Sequence, residues 1–146
     1  MTWILIAVAA LMFGLYNVFI KLSSDHIHAV LGAVVLQFVA AFMGLAWLLY
    51  LMATQSTSPN FTGRGITIAA LAGVAIGLVE ILTFVVYGRG LPVAVGNPLI
   101  IGGSLLVTTG VGVLLLREAL SPLQLGAIGL IALGIGVFAW DAARTA

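Results

Sequence analysis

Cysteine is absent from the 146 residues, so no disulfide framework, thiolate nucleophile or Cys-based metal site is available. Charge is nearly absent as well: five Lys or Arg and four Asp or Glu make up 6% of the chain, with a net charge of +1. A water-facing domain of this size carries roughly 25% charged residues. This chain therefore cannot clothe a soluble surface, and it has no basic patch with which to hold nucleic acid. There is also no HExxH pattern, carboxylate dyad, phosphate loop or nucleophile–base pair, so the reading is of a non-enzyme. His26 and His28 lie close together near a loop without further ligands, so no metal site and no cofactor is expected.

What is present is hydrocarbon. Hydrophobic residues make up 63% of the sequence, and the mean hydropathy is +1.31. A helix that crosses a bilayer needs about 20 mostly apolar residues. Five segments qualify, at about 2–20, 28–53, 66–87, 93–116 and 122–140. The runs are too long for strands and lack a period of two. The expected fold is all-α, one transmembrane domain of five helices across residues 1–146.

The breaks between runs agree. Ser23-Ser24-Asp25 is expected to end span one, and a polar stretch from Thr54 to Gly65 that contains Pro59 and Asn60 separates spans two and three. Gly88-Arg89-Gly90 and Pro92 make a turn, and Ser121-Pro122 opens span five. Span one reads as a membrane helix rather than a removed leader, because Met1-Thr2-Trp3 carries no basic side chain.

Orientation normally follows Lys and Arg in short loops. Here Arg64, Arg117 and the α-amino group fall on one side, and Lys21, Arg89 and Arg144 on the other. The balance leaves two readings open: an orientation set by other factors, or dual topology with two copies pairing antiparallel. An odd span number fits the second, because joining two five-span units head to tail inverts one of them.

Glu80 is the informative residue. It lies fourteen positions after Ile66 and seven before Tyr87, well inside span three. An ionisable group at that depth is costly unless it meets a partner or a wet cavity. It is either a binding site for a proton or cationic group, or a hydrogen-bonded lock between helices. Ala69, Gly73 and Gly77 share its stripe, which is continued by Phe84 or Thr83 and by Tyr87. Tyr87 is a site candidate, with an interfacial belt position as the alternative. Gly14, Asn17 and Lys21 share a face of span one, with Asn17 able to bond across helices and Lys21 expected to snorkel to the interface. Gln37 is a second lone amide, in span two. In span four, Gly96-Asn97-Pro98 deprives the Ala94 carbonyl of its helical donor, so a kink at Pro98 is expected and Asn97 joins the candidates. The glycines farther along spans four and five read as packing surfaces.

The run Leu91-Pro92-Val93-Ala94-Val95-Gly96-Asn97-Pro98-Leu99, then Leu116-Arg117-Glu118-Ala119-Leu120-Ser121, Gln124, Gly126 and Gly134 to Trp140, resembles the second half of an EamA repeat. Phe13-Gly14 and Asn17 to Leu22 resemble its opening. The resemblance covers essentially the whole chain and implies membership of the drug/metabolite transporter superfamily. Larger members have ten spans in two inverted repeats, so a single repeat implies a homodimer. It further implies a secondary transporter, exporting small metabolites or drug-like molecules by alternating access across a bacterial cytoplasmic membrane. Small relatives that move lipid carriers make a flippase the alternative, and a non-transporting scaffold is another. The chain departs from its four-span multidrug relatives, whose membrane glutamate lies in the first helix. Here the intramembrane acid is Glu80 in span three, and Gln37 stands near where many repeats have an arginine. Glu118 is implied to orient the turn before span five.

Overall fold

The computed structural model describes residues 1–54 and 61–145. Among these residues the secondary structure is entirely helical: α1 (Thr2–Ser24), α2 (Ala29–Ala53), α3 (Gly63–Gly88), α4 (Val93–Leu114) and α5 (Pro122–Thr145). The shortest, α4, has 22 residues and is about 33 Å long at 1.5 Å per residue. All five are long and apolar enough to cross a bilayer. Pro59 and Asn60, expected in the break between spans two and three, lie outside the described residues.

The helix ends follow local chemistry. Ser23 and Ser24 do not stop α1, because their hydroxyls donate to the carbonyls of Ile20 and Lys21 at 3.0 and 2.8 Å and stay within the helix. Asp25 is the C-cap instead. α3 begins three residues before the hydrophobic run, since the Thr62 hydroxyl accepts from the Gly65 N–H at 3.1 Å. Its other end turns through Gly90, whose φ of +91° suits a residue without Cβ.

The contacts divide the chain into two compact units, residues 1–90 and 91–146. In the first, α3 packs against both α1 and α2. Lys21 reaches Tyr87 and Gly88 lies beside Ser24, so α1 and α3 run parallel with α2 antiparallel between them in sequence. The buried apolar side chains are Ile20, Ala33, Phe84 and Tyr87, and the buried polar ones are Asn17, Glu80 and Thr83. Large apolar residues such as Phe42, Met43, Trp47 and Leu71 are exposed. Polar groups inside and hydrocarbon outside is the arrangement lipid requires. The chain is an integral membrane protein.

The second unit is the α4–α5 hairpin. Gly102 lies directly under Ile135, leaving no room for a Cβ. α4 continues as helix through Pro98, its sixth residue. Past its C-terminus the backbone passes through Arg117 at φ 56°, and the Glu118 N–H donates to the Gly112 carbonyl at 3.0 Å. α5 then starts with a capping box: the Gln124 N–H donates to the Ser121 hydroxyl at 3.2 Å, and the Ser121 N–H to Gln124 Oε1 at 2.8 Å.

Candidate functional site

Glu80, Thr83, Phe84 and Tyr87 recur at i, i+3, i+4 and i+7, so they lie on one face of α3, and all four are buried. α1 contributes buried Asn17 and Ile20 and half-buried Tyr16. Two of the polar groups are satisfied within their own helices: Asn17 Nδ2 donates to the Phe13 carbonyl at 2.9 Å, and Thr83 Oγ1 to the Val79 carbonyl at 2.7 Å. Neither answers Glu80.

Glu80 is 5% exposed, and its Oε2 has no hydrogen-bond partner. The Tyr16 hydroxyl interacts with its carboxyl group, and Tyr87 is within electrostatic reach of the same phenol. The Tyr87 hydroxyl is itself buried without a partner. A buried polar atom left unpaired costs about 1–3 kcal/mol. Glu80 and Tyr87 therefore each hold unused bonding capacity, two turns apart on the same face of α3.

Tyr16 also looks the other way. With Met12, Ile20, Val39, Met43 and Phe84 it lines an apolar groove of about 700 Å³ along the α1–α2 seam. Its ring stacks on Phe13 with centroids 5.5 Å apart. Phe84 is fixed more firmly, because its ring fills the space over Gly32 on α2.

The remaining candidates fall in both units. Tyr87 is fully buried in protein, not placed in an exposed belt. Its carbonyl accepts from Lys21 Nζ and from the Gly90 N–H, each at 3.0 Å. Lys21 thus caps the C-terminal carbonyls of α3 instead of extending freely to the interface, and it pairs with Asp25 at 3.6 Å. Gln37 is half-buried and lies over Gly77, a turn before Glu80, where it lines a second groove of about 520 Å³ between α2 and α3. Asn97 belongs to the second unit, where its Oδ1 is buried without a partner, one residue before Pro98. So Asn17, Gln37, Glu80 and Tyr87 belong to the first unit, and Asn97 belongs to the second.

Tyr16 is not singled out by spacing, since it lies off the Gly14–Asn17–Lys21 face. The available signal is its chemistry: a phenol inside a hydrocarbon span needs a partner for its hydroxyl. No protein-family profile, curated protein or solved structure matches this chain.

Proposed function

We propose that the protein is a secondary transporter of small metabolites or drug-like molecules, working as a homodimer by alternating access. The observation that carries this reading is Glu80, a buried membrane carboxyl group with one oxygen unpartnered, within interaction range of Tyr16, which lines an apolar groove of about 700 Å³. The group binds a proton or a hydrogen-bond donor of the substrate, and exclusive binding of the two couples their movement. The balanced distribution of Lys and Arg supports antiparallel pairing of two copies; a bacterial cytoplasmic membrane and export as the direction are part of the proposal.

One observation favours a second reading. The groove is apolar along its length and can accept a lipid chain, as a lipid-carrier flippase requires. Its head-group contact would fall to exposed Arg89, because Lys21 is held by the Tyr87 carbonyl and Asp25.

The test is a thermal-shift screen of metabolites, lipophilic drugs and polyprenyl phosphates on purified protein, repeated with Glu80→Gln. Ligands binding only the folded state raise the melting temperature by mass action. Stabilisation by small molecules that is lost in Glu80→Gln supports the transporter. Stabilisation by polyprenyl phosphates alone supports the flippase, and none by any compound supports a scaffold.

A further inference from the structure

We propose that Tyr16 is the shutter between the α1–α2 groove and Glu80, and therefore the residue that decides which ligands reach the carboxyl group. The inference deepens the transport reading and rests on it.

Tyr16 borders both compartments. Its ring forms part of the groove wall, and its hydroxyl is within interaction range of the buried Glu80 carboxyl group. The neighbours that could otherwise move are held. Phe84, which also lines the groove and lies one turn from Glu80 on α3, is wedged over Gly32, where a Cβ would come within 2.6 Å of its ring. Asn17 is tied to the Phe13 carbonyl and Thr83 to the Val79 carbonyl. Tyr16 has the stack on Phe13 and its hydroxyl contact. Rotating it breaks those two interactions and leaves the helix backbone undisturbed.

A ligand that fills the groove with an apolar body can displace the ring, and its polar end then replaces the phenol at Glu80. Because Glu80 Oε2 lacks a partner and the Tyr87 hydroxyl can accept as well as donate, a polar end that carries a hydrogen-bond donor can answer either atom. A purely hydrocarbon occupant fills the groove without answering either atom.

Dicyclohexylcarbodiimide tests the shutter directly. The O–H of a protonated carboxyl group adds across a C=N bond of this apolar reagent, and an oxygen-to-nitrogen acyl shift then leaves an N-acylurea that retains every atom of both reactants. Full-length protein in lipid nanodiscs is labelled, and the peptide containing Glu80 is followed by mass spectrometry. Each variant is compared at the pH of its own fastest labelling, so that altered protonation is not mistaken for access. Tyr16→Ala is expected to label Glu80 roughly tenfold faster than wild type, and Tyr16→Phe roughly threefold, as stack and hydroxyl are lost in turn. If Tyr16→Ala does not fold, Tyr16→Phe decides alone. Wild-type rates in the variants, or no labelling in any of them, would overturn the proposal. Labelling needs no transport, so faster labelling in a protein that binds no ligand keeps the shutter and removes the transporter. Unchanged labelling in a protein that does bind ligands removes the shutter alone.

Discussion

Phe84 lays its ring against the bare backbone of Gly32, so closely that a methyl group at residue 32 would sit 2.6 Å from the nearest ring carbon. This contact joins α3 to α2 one turn beyond Glu80 and fixes one wall of the α1–α2 groove. Gly32→Ala should therefore destabilise the first unit by about 1–3 kcal/mol, the usual cost of overpacking. Adding Phe84→Leu should recover much of that loss, because the smaller side chain vacates the site. Unfolding midpoints in a denaturing detergent titration of the two single variants and the double variant measure the coupling.

The bond from Lys21 Nζ to the Tyr87 carbonyl joins the ends of two parallel helices, whereas the pair with Asp25 joins residues one turn apart. The first adds a charged donor to a helix-end carbonyl that also accepts from the Gly90 N–H. The second is a 3.6 Å contact to a carboxylate that is 58% exposed. Lys21→Met should cost about 1 kcal/mol, discounted for the partial exposure of the lysine. Asp25→Asn should cost less than about 0.5 kcal/mol. Equal losses in the same unfolding titration would place the energy in the ion pair and not in the cap.

Two glycines of α4 should respond oppositely to the same substitution. Gly102 faces Ile135, whose β-branch restricts its escape within a helix. Gly102→Ala should loosen the hairpin, despite the gain of up to about 1 kcal/mol in helix propensity. A methyl group at residue 112 would sit 2.7 Å from Oε2 of exposed Glu118, and that carboxylate can swing into solvent. Gly112→Ala should be neutral or stabilising. Melting temperatures of the two variants give the sign of each effect.

Ser121 and Gln124 satisfy one another's backbone N–H groups at the start of α5. Ser121→Ala should cost about 1 kcal/mol, and Gln124→Ala should cost less, because the Ser121 cap on the helix remains. Hydrogen exchange at the first turn of α5 should accelerate in both variants and leave α1 unaffected.

Composition alone made the membrane helices legible, because a chain with 6% charged residues has only lipid as a compatible surrounding. The ends of the helices were less so. Serine serves as a stop signal when its hydroxyl bonds outside the helix, but Ser23 and Ser24 bond back into α1. Gly63, Arg64 and Gly65 read as loop, yet the Thr62 cap draws them into α3. Glu80 was legible from depth alone, since a carboxyl group in a hydrocarbon run is conspicuous wherever its partner lies. Its interaction with Tyr16 was not, because periodicity reports neighbours on one helix and these two residues lie on different ones. The same limit hid the cap that Lys21 places on α3. A long cationic side chain at a helix end has the sequence signature of snorkelling whether it ends in the interface or on a neighbouring carbonyl.

Coupling through Glu80 is tested most directly by proton flux. Protein reconstituted into liposomes containing a pH-sensitive dye is given a pH gradient, and the compounds that raise its melting temperature are then added outside. With wild-type protein each addition should shift the internal pH, and with Glu80→Gln, inserted in equal amount, it should not. Equal shifts from both proteins, or none from wild type, would contradict a carrier that works through this carboxyl group.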